Sequence, residues 1–221
     1  MGKMSGSLAD DMDYLNGQLG VGTNFDVLYR VVTIGGRNAC VYMIDGFCKD
    51  EVMQKLLQHF IGITEDKMPS DAHEMSKQLV PYGEVDLEDE WEKIEYSVMS
   101  GVVAMFIDGY DRCILIDART YPARGVAEPE KDKVLRGSKD GFVETIVFNT
   151  ALIRRRIRSP QLRMEMLKAG TNSQTDIVLC YMDDRVDRDF LEKIRSRINS
   201  LQVDALTLNQ ESLAECLYKR L

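Results

Sequence analysis

The chain has 221 residues, 44% apolar and 29% charged, with a formal net charge of −8 at pH 7, a balance ordinary for a globular protein of one large or two small domains. The acidic total argues against nucleic acid as a partner. The longest uncharged apolar run in the front half, near Val102 to Ile107, falls far short of the roughly 20 residues that span a bilayer. Charge is unevenly placed: residues 1–120 hold 10 Lys/Arg against 21 Asp/Glu, whereas residues 121–221 hold 18 against 15.

Residues 1–22 begin polar and acidic, have no apolar signal-peptide core, and read as a disordered lead-in. Residues 23–119 read as an acidic subdomain. Phe25 to Ile34 is rich in β-branched and aromatic residues, and Asn38 to Ile44 follows Gly35-Gly36, which predicts a hairpin with glycine supplying positive φ in its turn. The spacing of Val52, Leu56, Leu57 and Phe60 predicts a helix over Lys49 to Ile61, with a short one over Met75 to Leu79. Leu87, Trp91, Ile94 and Val98 predict a third over Asp86 to Met99. Two apolar runs, Val102 to Ile107 and Cys113 to Ala118, complete this half. Ile-Asp-Gly occurs at Ile44 to Gly46 and again at Ile107 to Gly109; paired aspartates suit acid–base chemistry, but Asp-Gly after a strand is turn chemistry first.

Thr120 to Arg136, with two prolines and a run of mixed charge, reads as a connector. Residues 137–221 read as a second subdomain opening on a long helix, with Asp140 as its cap and Glu144 near its positive end. Phe142, Ile146, Ile153 and Ile157 form its apolar stripe. Arg154, Arg155, Arg156 and Arg158 gather at its C-terminus, more cations than the helix dipole needs, so acidic partners are expected. Glu128 and Glu130 of the connector are the nearest; an acidic surface of the front half or of a neighbouring copy is the alternative. Extended or short helical segments follow at Leu162 to Lys168 and Thr175 to Tyr181. A helix is predicted over Asp187 to Leu201 with Phe190, Ile194 and Ile198 inward, then a strand over Val203 to Leu208 and a helix over Glu211 to Tyr218. The alternation predicts an α/β fold, with mixed α+β as the other arrangement, in two small subdomains, each a mixed sheet flanked by helices.

The chemistry-bearing residues form no catalytic or metal set. Five cysteines without a Cys-x-x-Cys pair read as reduced core thiols, and His59 and His73 lack companions at ligand spacing. Gly17, Gly20 and Gly22 follow no strand, and no Gly-x-Ser-x-Gly occurs, so neither a nucleotide loop nor a nucleophile elbow is supported. No enzyme, no cofactor and no metal are expected.

The run EPEKDKVLRGSKDGFVETIVFNTALIRRRIRSPQLR from Glu128 to Arg163, with AGTNSQTDIVLCYM ending at Met182, resembles the GerA-type A-subunit family of bacterial spore germination proteins. LGVGTNFDVLYR (Leu19 to Arg30) and YMIDGFCKD (Tyr42 to Asp50) extend the resemblance to the front half. The wording of Arg136 to Thr145 and of Asn149 to Arg158 is most similar to a stage V sporulation branch of that family. The resemblance implies the N-terminal region of a spore inner-membrane protein, on the core side, with a membrane region expected after residue 221. Its implied task is assembly and signal transmission for an ion-releasing germination complex, with other copies and other germination membrane proteins as partners and no nucleic acid. The candidate contacts between subdomains or subunits are Glu128, Glu130 and Arg136 of the connector, Glu144 and Asn149, and the four arginines. A small-ligand-binding module using a cleft between the subdomains is the alternative.

Overall fold

The computed structural model describes residues 2–121, 141–204 and 209–218. Its first helix, α1 (Leu8–Leu19), lies where a disordered lead-in was expected. Leu8, Leu15 and Leu19 recur at helical spacing and are buried, and this stripe outweighs the polar composition. The Asp108 carboxylate accepts the Leu8 N–H (3.1 Å), while buried Asp11 accepts the Ser5 N–H (2.8 Å) and hydroxyl (3.0 Å). The second Ile-Asp-Gly therefore serves a helix start.

The predicted hairpin is present as β1 (Val27–Ile34) and β2 (Arg37–Ile44), antiparallel from Val27↔Ile44 to Ile34↔Arg37. Its turn has Gly35 at φ 52° and Gly36 at φ 76°, a pair of positive values that side-chain-bearing residues rarely adopt. Helix α2 (Asp50–Ile61) buries Met53, Leu56 and Phe60, and α3 (Ala72–Gln78) is capped by Asp71, whose carboxylate accepts the Glu74 N–H (2.9 Å). Residues 86–99 are not one helix. Val85–Glu88 is strand β3, and helix α4 begins only at Trp91 and runs to Met99. Leu87 sits four residues before Trp91 by coincidence of spacing; β3 is fixed instead by pairing with a later strand, which local periodicity does not show.

Strands β4 (Val103–Ile107) and β5 (Cys113–Ile116) complete a five-stranded antiparallel sheet in the order β1-β2-β4-β5-β3. The two faces divide the core by residue parity. Cys40, Tyr42, Ala104, Phe106 and Leu115 meet α1 and α4, while Ala39, Val41, Met105, Ile114 and Ile116 meet α2 and α3. Inner strands covered on both faces have no polar side to show, which is why β4 and β5 are buried at every position. Burial pushes the Cys40 thiol up to about 12 and the Cys113 thiol well above its ordinary value; Cys180, by contrast, is exposed rather than in a core.

Helix α5 (Ile146–Arg156) is shorter than expected, and its N-cap residue, Thr145, makes no side-chain cap bond. Asp140 lies outside the described residues. The expected apolar stripe is not what α5 buries: Phe142, just before it, is 68% exposed, Phe148 46% and Ile157 40%, whereas Thr150, Ala151 and Arg154 are buried.

By internal contacts one unit comprises Met1–Val21 with Asp26–Pro160, and the other Gly22–Phe25 with Gln161–Leu221. The division thus falls after Pro160 rather than at the 120–136 connector, because α5 belongs with the five-stranded sheet. In the second unit β6 (Leu162–Ala169) and β7 (Thr175–Met182) form an antiparallel hairpin, and residue 24 joins it where the Asn24 side chain accepts the Met164 N–H (2.6 Å). Helix α6 (Arg188–Asn199), capped by Asp187, buries Leu191 and Ile198, while Phe190 is 60% exposed instead of inward. Val203 and Asp204 lie outside any strand, the rest of the predicted 203–208 strand is outside the described residues, and α7 (Asn209–Tyr218) follows. All ladders among the described residues are antiparallel, so the fold is α+β, and no described helix is long and apolar enough to cross a membrane.

Candidate functional site

The arginine run at the end of α5 is split by helical phase. Arg154 follows Val147 by about two turns and Ala151 by about one, so it faces the sheet with them and is 0% exposed. Its guanidinium forms a two-pronged pair with Asp26, at the entry to β1: Nε donates to Oδ2 (2.9 Å) and Nη2 to Oδ1 (3.0 Å). Nη1 reaches the Met99 sulfur and the Ser159 carbonyl, each at 3.5 Å. A charge removed from water this completely is tolerated because its partner is also buried and both oxygens are matched by the planar fork. Close approach of α5 depends on Gly46, at φ 79°, where an added Cβ would lie 3.3 Å from Val147 and 3.5 Å from Ala151. The first Ile-Asp-Gly thus makes room for the arginine helix. Its Asp45 carboxyl is raised above the usual carboxylate range by burial.

The remaining arginines lie toward the surface, two of them against tyrosines. The Arg155 guanidinium lies 4.8 Å from the Tyr121 ring centroid, whose hydroxyl donates to the Ser100 carbonyl (3.0 Å). Arg119 chelates Asp117 beside that ring, and its hydrogen bonds hold the Asp117 carboxyl below its ordinary value. Arg158 donates to the Arg155 carbonyl and to the Tyr96 hydroxyl, each at 3.3 Å, and Arg156 is exposed. Arg158 lines two clefts. One, of about 990 Å³, lies between β3 and α4; the other, of about 670 Å³, is bordered by Tyr82, Glu84 and Arg119.

The first cleft is strongly acidic. Lys93 offsets Glu88 (3.4 Å) and Glu90 (3.1 Å), while burial and the neighbouring Glu92 raise Glu95, which accepts a hydrogen bond from the Tyr14 hydroxyl (3.2 Å). Burial works against the charge of Glu88, but the Glu90 and Asp89 N–H groups and Lys93 hold its carboxyl down. Glu88, Asp89 and Glu90 come close enough to share a cation, and they already pair with cationic side chains, Asp89 with Lys3 and the two glutamates with Lys93.

Among the other residues expected at contacts, Asn149 spends its side chain locally, accepting the Val143 N–H and donating to the Val143 carbonyl at 2.7 Å each. Glu144 is exposed, and Glu128, Glu130 and Arg136 lie outside the described residues. Asp26 was missed; the signal for it was an acid placed directly before an apolar strand with no turn to make. In the second unit Arg195 pairs with Glu165 through Nε (2.9 Å) and Nη2 (2.6 Å) beside Tyr181, bracing β6 against α6.

A family model described as Bacillus/Clostridium GerA spore germination protein matches residues 13–220. Stage V sporulation protein AF of Bacillus subtilis is 35% identical over 94% of this chain and 42% of its own length. Spore germination protein KA of the same organism is 28% identical over 84% of this chain and 35% of its own. The chain therefore spans about two fifths of the length of such relatives. Among solved structures, the N-terminal domain of the A subunit of the Bacillus megaterium spore germinant receptor GerK3 shares the fold, with a TM-score of 0.71 at 22% identity over 91% of this chain and 74% of that one.

Proposed function

Because the chain belongs to the GerA family of spore germination proteins, a family of germination proteins rather than enzymes, we propose that it serves assembly and signal transmission in an ion-releasing germination complex. Its place on this reading is the spore inner membrane, on the core side. Its partners are other copies of itself and other germination membrane proteins. The observation that carries the reading beyond kinship is the anchoring of α5. One buried ion pair fixes the helix to the sheet while Arg155, Arg156 and Arg158 are left toward the surface, so the basic group is held in one arrangement that a partner can grip or displace. Elements that transmit a signal need such a discrete arrangement, since a continuously yielding one passes little on.

Light scattering of the protein over a concentration series at two salt levels tests this. Reversible association that weakens as salt rises is expected from charge-guided contacts. A strict monomer throughout counts against assembly, and a thermal midpoint raised by amino acids or sugars would favour the ligand-binding alternative instead.

A further inference from the structure

We propose that the outer edge of β3 is a docking site for an extended peptide bearing lysine or arginine at alternate positions, which adds to the sheet as a sixth strand. This goes beyond the assembly reading and does not depend on it.

β3 is the terminal strand of the five-stranded sheet. One edge pairs with β5 from Val85↔Ile116 to Glu88↔Cys113, and the other has no strand partner among the described residues. The two clefts described above adjoin β3: Tyr82, Gly83 and Glu84 line one with Asp117 and Arg119, and Asp86, Leu87 and Glu88 line the other with Leu115 of β5. Chain positions 82–84 and 86–88 thus border open space, a stretch that matches about six extended residues at about 3.3 Å per residue. Tyr96 of α4, 54% exposed, also lines the cleft beside residues 86–88.

Charge selects the occupant. Lys93 answers Glu88 and Glu90, and Arg119 answers Asp117, but Glu84, Asp86 and Glu92 have no ion-pair partner among the described residues. Asp86 and Glu88 are two apart on one strand and so project to the same side, which matches cations at alternate positions of an added strand. Edge strands are commonly blunted by shortness and charge, and β3 has both; its acids discourage pairing with apolar or acidic strands while leaving the open backbone to a basic one. The opposite edge, β1, is longer and exposes Tyr29 and Val31, but no such acidic groove runs along it.

The test uses the whole chain and a fluorescein-labelled peptide of about six residues alternating valine and lysine, with a valine–glutamate peptide as its counterpart. Fluorescence anisotropy should show binding of the lysine peptide only, weakened about tenfold by the exposed, isosteric pair Asp86→Asn and Glu92→Gln and by raised salt. Amide exchange of the unsubstituted protein should slow over residues 84–88 when the lysine peptide is present, a readout that needs no variant. Absence of binding, equal binding of the glutamate peptide, protection elsewhere, or affinity unmoved in a double variant of unchanged thermal midpoint would overturn the proposal. Protection of residues 84–88 in the unliganded protein that disappears on dilution would also overturn it, since a second copy would then fill the edge.

Discussion

Arg154 and Asp26 form the pair on which the position of α5 depends. Breaking a buried pair from one side is costly because the survivor keeps its charge without its partner, whereas replacing both sides is far milder. Arg154→Met should therefore destabilise the protein by about 3–5 kcal/mol, and adding Asp26→Asn should recover a large part of that loss. Urea unfolding of the two single variants and the double variant checks this; additive losses would show that the pair is no unit. The need for an acid opposite the arginines was legible in the sequence, but its identity was not. Asp26 lies 128 residues away, and nothing local ties the two positions together. Even so, the burial of Arg154 rather than Arg155 or Arg156 follows from helical phase once Ala151 is taken as inward.

The arginine helix is held by its neighbours' geometry as much as by its own sequence. Ile146–Arg156 buries mostly small or polar positions, so its seat depends on the missing Cβ of Gly46. Gly46→Ala should cost about 1–2 kcal/mol from the left-handed backbone alone. Crowding of Val147 should add selective loosening, with faster amide exchange in α5 than in α2. Equal exchange in both helices would mean that Gly46 serves only its turn. Elements whose signal is local are readable in the sequence: the β1–β2 hairpin from its paired glycines, and α2 and α6 from their apolar spacing, although α6 turns Leu191 inward in place of Phe190. The others depended on distant partners. β3 has the spacing of a helix because its pairing with β5, across the intervening α4 and β4, leaves no local mark, and α1 is hard to see because three buried leucines are sparse among acids.

For the whole molecule, charge asymmetry was plain in the sequence and becomes specific in the structure, with acid lining the β3–α4 cleft and exposed arginines at the end of α5. The α+β class was also within reach, since hairpin turns join several of the strands, whereas the division after Pro160 was not, because it turns on where α5 packs. Arg155 and Arg156 contribute to charge without contributing to the buried anchor. Arg155 stacks on Tyr121 at the surface, an interaction of about 0.5–1 kcal/mol, so Arg155→Ala with Arg156→Ala should leave the fold intact with a modestly lower thermal midpoint. If acid and arginine meet between copies, the same double variant should associate several-fold more weakly and lose most of its salt dependence in light scattering. The two readouts separate the roles. Weaker association with the midpoint nearly kept marks the arginines as contacts between molecules. A large fall in midpoint with association unchanged would make them internal braces and sink the charge-guided assembly proposed for this chain.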